Sequence, residues 1–120
     1  MKVEELRYGN WVNWYNHTFR IGIIEEYYVE PIGRNEGGFP CEDLRPIPLT
    51  EEILLNVCKS WRSFHDGVII YEFGLFDFWS QNGQIWLNKD FKEWLPQIEF
   101  VHELQNLFWI LTGNELTINL

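Results

Sequence analysis

The first third of the chain contains runs rich in aromatic and β-branched residues that are separated by short polar segments, a pattern typical of strands and turns. Two such runs, 11–15 and 19–29, flank the polar segment Asn16-His17-Thr18. This arrangement predicts a β hairpin. The segment 39–44, which follows a glycine-rich stretch, is expected to add a short strand. Residues 1–49 are therefore interpreted as a β-rich N-terminal unit.

Two later segments carry apolar residues at the spacing of an α helix. The first is predicted over 50–61, where Thr50 is a favourable N-cap and acidic residues suit the first turn. Its apolar stripe has four members: Ile53, Leu54, Val57 and Trp61. The second is predicted over 98–112, and Gly113 follows it at the position of a left-handed residue. The apolar face of this second helix comprises Val101, Leu104, Phe108 and Leu111.

Residues 67–88 hold three more apolar runs, and Asn82-Gly83 separates the last two. Asn-Gly between apolar runs is a strong signal for a tight hairpin turn, so β hairpins are predicted here. The alternating tail 115–120 is expected to form a short terminal strand. The predicted fold is α+β, a single domain over 1–120. Small antiparallel β units, the N-terminal one similar to an SH3-like barrel, pack against a central and a C-terminal helix.

Aromatic residues make up 18% of the 120 positions, with seven Trp, nine Phe and five Tyr. Such large side chains allow a core to form at this length without disulfides or a structural metal. Most of the tryptophans outside the first third are assigned to that core, namely Trp61, Trp79, Trp86 and Trp94.

The formal net charge is -9 and the sequence pI is about 4.7. This acidity argues against direct binding to nucleic acid or to an anionic membrane surface. The first residues lack the apolar core of a signal peptide, and no run has the length of a spanning helix, so a cytoplasmic location is expected. Cys41 and Cys58 lie far apart in the sequence and are interpreted as ordinary thiols.

Chemistry-bearing residues form no recognisable catalytic or metal-binding pattern. His17, His65 and His102 are scattered, and no nucleotide-binding or nucleophile motif is present. Adjacent carboxylates such as Glu51-Glu52 suit a helix start rather than general acid and base chemistry. The sequence therefore predicts a protein that is not an enzyme and has no cofactor and no metal site.

Acidic and aromatic positions are the candidate partner-binding residues. Glu25, Glu26 and Glu30 belong to an acidic stretch, and Lys92 is the last basic residue before Glu99 and Glu103. Such a field favours a partner with a basic surface. On the last helix, a polar side faces away from the apolar one, and Trp109 on it is the candidate anchor, with burial in the core as the alternative. The other members of that side are His102, Gln105 and Asn106.

Three segments carry a resemblance to a known family: Leu6 to Val12, Ile47 to Leu54, and Val101 to Phe108 with Leu111 to Leu116. They resemble a family of small proteins of unassigned activity encoded in Bacteroidetes phages, prophages and mobile elements. The resemblance implies a genomic context and supplies no catalytic residues.

Together these features predict a non-catalytic phage or mobile-element protein that binds and inhibits a host defence complex. A CRISPR RNA-guided nuclease, either a type VI-B or a type II effector, is the expected target, which would make the chain an anti-CRISPR protein. The alternative is a small structural or regulatory homodimer of the mobile element with no host target. A third hypothesis is an enzyme whose reactive residues converge only in the folded chain.

Overall fold

The computed structural model describes residues 1–33, 37–74, 76–88 and 98–120. The chain forms two compact units. Unit 1 comprises Met1–Pro48, Phe100–Glu115 and Asn119–Leu120, and unit 2 comprises Leu49–Glu99 and Leu116–Ile118. The architecture is α+β with antiparallel sheets, as predicted. The single domain expected over 1–120 stays a prediction.

Unit 1 contains a five-stranded antiparallel sheet. In chain order the strands are β1 (Trp11–Trp14), β2 (His17–Ile24), β3 (Tyr28–Pro31), β4 (Phe39–Pro40) and β5 (Leu44–Pro46). In space the order is β4-β3-β2-β1-β5. The predicted hairpin is present as β1 and β2, and its two-residue turn has Tyr15 at a positive φ of 52°.

The predicted similarity to an SH3-like barrel is not confirmed, because the described strands form no closed barrel. β4 and β5 are the edges of the sheet, and the 3₁₀ turn Cys41–Asp43 connects them without pairing them to each other. β4 has two residues and β5 has three, and each ends in a proline. Because proline has no backbone N–H to donate, further pairing at these edges is disfavoured.

The core of unit 1 lies on one face of this sheet. It combines alternate residues of the strands with apolar residues from the turns, namely Leu6, Val12, Phe19, Ile21, Val29, Cys41 and Leu44. The second helix, α2 (Val101–Thr112), begins after Phe100 and ends at Gly113, which has a φ of 72°. Val101 and Leu104 of α2 are buried, as its apolar periodicity predicts.

Unit 2 contains helix α1 (Glu51–Val57) and a four-stranded antiparallel meander. Its strands are β6 (Ser60–Ser63), β7 (Ile69–Glu72), β8 (Asp77–Gln81) and β9 (Gln84–Asn88). The predicted turn at Asn82-Gly83 is confirmed, with φ of 52° and 78° at the two residues. Both values lie in the left-handed region that this dipeptide favours.

Helix α1 is shorter than the 50–61 prediction because the chain changes to strand pairing after Cys58. Lys59 N donates to Glu72 O at 2.8 Å, and β6 continues the pairing with β7. Trp61 therefore leaves the predicted helical stripe and is 51% exposed on β6. Trp79 and Trp86 are half-buried and face each other across β8 and β9, whereas Trp94 lies outside the described residues. Residues 115–120 are described and form no strand, so the terminal strand predicted there is wrong.

The N-terminus of α1 is attached to the sheet of unit 2 by a carboxylate. Glu51 Oε1 accepts a hydrogen bond from Tyr71 Oη at 3.3 Å and another from Ser80 Oγ. Burial, together with the negative charge of Glu51, raises the pKa of Tyr71 to about 12. The phenol therefore stays protonated and keeps its role as donor at physiological pH.

Gly22 marks an irregularity in the pairing of β2 with β3, where the register shifts between Ile21 and Ile23. A Cβ at this position would lie 2.9 Å from Ile32 Cα and 3.0 Å from Ile32 N. These are backbone atoms, so a side chain is accommodated only if the strands separate.

We expect Gly22→Ala to destabilise the protein by about 1–3 kcal/mol, because the added methyl group overpacks a backbone contact. Urea denaturation measures the change. The neighbouring Ile23→Ala, at an exposed position, should stay within about 1 kcal/mol of the wild type. Wild-type stability in Gly22→Ala would contradict the close approach of the two strands.

Candidate functional site

Three separate segments of unit 1 enclose an open groove of about 1110 Å³. They are the 3₁₀ turn Val3–Glu5, the connection between β2 and β3, and the segment that runs from β4 into the 3₁₀ turn Cys41–Asp43. The segments are distant in sequence, and the pairing of β3 with β2 and β4 brings them together.

Each segment contributes one carboxylate to the groove: Glu4, Glu26 and Glu42. Among the described residues that line it, the basic groups are the Lys2 side chain and the α-ammonium of Met1, against these three acids. The carboxylates are on exposed residues, so water screens them in part, and their field favours a cation that contacts them directly.

Two tyrosines form an apolar wall of the groove. Tyr27 is 74% exposed, and Tyr28 is more shielded. The ring of Tyr28 lies over the backbone of Gly38, where a Cβ would be 2.1 Å from Tyr28 Cδ2. The absence of a side chain at Gly38 therefore leaves the space that the Tyr28 ring occupies.

Backbone hydrogen bonds fix the turn that carries these tyrosines. Glu25 N donates to Tyr28 O, and Cys41 N donates to Tyr27 O, both at 2.9 Å. The nitrogen of Met1 donates to Cys41 O at 2.9 Å and so places the first residues beside the same turn. The groove is therefore held by the main chain, and its side chains are free to meet a ligand.

Cys41 lies at the base of the groove and is buried. Burial raises the pKa of its thiol, so the thiol stays protonated at neutral pH. In unit 2, burial raises the pKa of Cys58 in the same way. The groove thus offers carboxylates and aromatic faces, a combination that binds cations.

The prediction of an exposed polar face on α2 is wrong for two of its four residues. Gln105 is 1% exposed and His102 is 4% exposed. Gln105 Nε2 donates to Gly9 O at 2.9 Å, and Trp11 N donates to Gln105 Oε1 at 2.8 Å. The side chain is buried because it satisfies two backbone groups at the start of β1.

His102 stacks on Phe100 with ring centroids 6.0 Å apart, and its Nε2 lies 3.9 Å from Glu5 Oε1. Burial lowers the pKa of His102, although the charges of Glu5 and Glu103 act in the opposite direction. The imidazole is therefore neutral at physiological pH and is part of the packing of α2.

Asn106 and Trp109 of α2 contact Arg7. Asn106 Oδ1 accepts from Asn10 Nδ2 at 2.8 Å and from Arg7 Nε at 3.2 Å. The guanidinium of Arg7 lies 5.1 Å from the centroid of the Trp109 ring and forms an ion pair with Glu115. Trp109 is 42% exposed, so the anchor predicted there is partly available at the surface.

The five predicted glutamates occupy different places. Glu25 and Glu26 are exposed in the turn between β2 and β3, and Glu30 is half-buried on β3. Glu103 Oε1 accepts from Phe100 N at 3.0 Å and caps α2. Glu99 is exposed in unit 2.

Of the predicted partner-binding residues, the groove includes Glu26 alone. Sequence reasoning did not select Glu4, Glu42, Tyr27 or Tyr28 as site residues. The sequence pattern concealed this group, because Glu25-Glu26-Tyr27-Tyr28 falls inside the run 19–29 that predicts one strand, whereas β2 ends at Ile24 and β3 begins at Tyr28. Exposed aromatic residues in turns are a common feature of binding surfaces.

Known family models, curated proteins and solved structures provide no match to this chain. Within the described residues, no group of three or more His, Cys, Asp or Glu side chains is arranged to hold a metal ion. None of the described helices combines the length and apolar character needed to cross a bilayer.

We expect Gln105→Leu to destabilise the protein by about 1–3 kcal/mol for each of the two backbone groups that it leaves unpaired. Urea denaturation provides the measurement. Gln84→Leu, an equivalent change at an exposed position on β9, should stay within about 0.5 kcal/mol of the wild type. Equal stabilities for the two variants would contradict a structural role for the Gln105 amide.

Proposed function

We propose that this chain is a non-catalytic phage or mobile-element protein that binds a basic site on a host defence complex and inhibits it. The candidate target is a CRISPR RNA-guided nuclease of the type VI-B or type II class. The observation that carries the proposal is the groove of unit 1, where three glutamates from separate segments converge beside two tyrosines.

Charge complementarity supports this choice of partner. A nuclease that holds RNA needs basic surfaces to neutralise phosphates, and an acidic protein competes for such surfaces. The net charge of -9 attracts the chain to them over a distance, and the tyrosines supply the contacts that anchor a protein interface.

The sequence resemblance supports the same biological setting. Three segments across the chain resemble a family encoded in Bacteroidetes phages, prophages and mobile elements. A small acidic protein in that setting benefits its element by disabling host defence, and binding without catalysis is sufficient for such a role.

The direct test is a cleavage assay with a purified RNA-guided nuclease, its guide and a labelled target. We expect added protein to inhibit cleavage in a dose-dependent and salt-sensitive manner. The double variant Glu26→Gln/Glu42→Gln should require at least about tenfold more protein for the same inhibition, equivalent to about 1.4 kcal/mol.

The matched control is Glu52→Gln/Asp66→Asn, which removes the same charge from exposed positions that do not line the groove. It should inhibit nearly as well as the wild type. Equal losses in the two double variants would show that net charge acts without the groove. If neither the type VI-B nor the type II effector is inhibited or bound, the proposal fails.

The alternative function, a homodimeric module of the mobile element, is favoured by one observation. Trp109 and Ile110 are adjacent on α2 and both are exposed, Ile110 at 75%. In a symmetric dimer this patch would be covered by its own copy. If this alternative holds, we expect sedimentation at about 100 μM protein to show a dimer. The variant Ile110→Glu should dissociate that dimer. A monomer throughout would exclude it.

A further inference from the structure

The groove of unit 1 has a wall of aromatic rings and a rim of carboxylates, so its ligand must satisfy both. The faces of Tyr27 and Tyr28 attract a cation through their π electrons. Glu4, Glu26 and Glu42 line the same groove, and their carboxylate oxygens are acceptors for the N–H donors of a cationic ligand. A ligand that is flat, positively charged and rich in edge donors meets these requirements together.

Arginine satisfies this description better than lysine does. Its guanidinium is planar, stacks on aromatic faces and presents five donors around its edge, whereas the lysine ammonium is compact and strongly hydrated. We infer that the groove binds the guanidinium of an arginine in an extended segment of the partner protein. This inference rests on the proposed function and identifies the group that the partner contributes.

The protein itself contains two arginines held in the same way. Arg7 lies over the ring of Trp109 at 5.1 Å and pairs with Glu115. In unit 2, Arg62 lies 5.9 Å from the centroid of the Phe64 ring, and its Nε is 2.7 Å from Glu72 Oε1. In both places one aromatic face and one carboxylate hold a guanidinium.

The groove repeats this pairing of aromatic and acidic groups without an arginine among its described lining residues. Its volume of about 1110 Å³ exceeds the range that is typical of sites for drug-sized ligands, about 300–1,000 Å³. It therefore accommodates the arginine side chain together with its neighbours in a peptide. An open groove formed by three surface segments suits an extended segment rather than a small enclosed ligand.

The test is an NMR titration of the labelled full chain with the peptide acetyl-Gly-Arg-Gly-amide. We expect saturable shifts of the Tyr27 and Tyr28 ring signals. The matched peptide with citrulline, which is isosteric with arginine and uncharged, should bind at least about tenfold more weakly. The lysine peptide should also bind more weakly than the arginine peptide, because it lacks the planar donor edge.

Two variants distinguish arginine binding in the groove from non-specific binding to any exposed tyrosine. Tyr27→Ala should weaken arginine binding by at least about fivefold. Tyr15→Ala, at a turn residue of matched exposure, 71% against 74%, should leave it unchanged. Both positions are on the surface, so both variants should keep the wild-type spectrum elsewhere.

Three results would overturn the inference: equal binding of the arginine and citrulline peptides, equal binding of the arginine and lysine peptides, or no ring shifts at about 10 mM arginine peptide. If nuclease inhibition persists in those cases, the proposed function stands with a different ligand group. If the arginine peptide binds Tyr27 and Tyr28 but no RNA-guided nuclease is inhibited, the inference stands and the proposed function fails.

Discussion

Unit 1 depends on a buried amide contact between helix α2 and the segment that leads into β1. Gln105 bonds both Gly9 O and Trp11 N, and neighbouring Asn106 bonds Asn10 and Arg7. An unpaired polar group in this position would be costly, so the contact allows one register between helix and strand. Val101 and Leu104 of α2 are also buried, and the amides specify which backbone groups at the start of β1 the helix contacts.

The groove is a consequence of the sheet that this contact supports. β1 pairs with β2, β2 pairs with β3, and β3 pairs with the two-residue strand β4. This order of pairing places the turn that contains Tyr27 close to Glu42, so that both line the groove. The edge strands β4 and β5 each end in a proline, which disfavours the addition of a further strand at these edges.

Arginine held between a ring and a carboxylate occurs in both units, at Arg7 and at Arg62. At an exposed surface, each such contact contributes only a modest free energy of stabilisation. Their recurrence shows which chemistry this aromatic and acidic chain uses for a cation, and the groove presents the same groups to the outside. A cation bound there would have carboxylate acceptors from more than one segment within the same groove, which an isolated surface pair lacks.

Local patterns in the sequence were sufficient to predict the α+β class, the first hairpin, the Asn82-Gly83 turn and helix α2 up to Gly113. These features depend on side-chain periodicity and on turn residues with positive φ, which act over a few positions. The end of α1 was not predictable in this way, because Trp61 continues the helical period while Lys59 and β6 pair with a strand further along the chain.

The candidate site was decided by tertiary structure. Helical periodicity placed Gln105 and His102 on a polar face. It contained no information that the side-chain amide of Gln105 would form hydrogen bonds with the backbone of Gly9 and Trp11. Likewise, Glu4, Glu26 and Glu42 are ordinary surface acids when read along the chain. They become a site only because long-range strand pairing brings their segments together, and such pairing depends on contacts that no local pattern specifies.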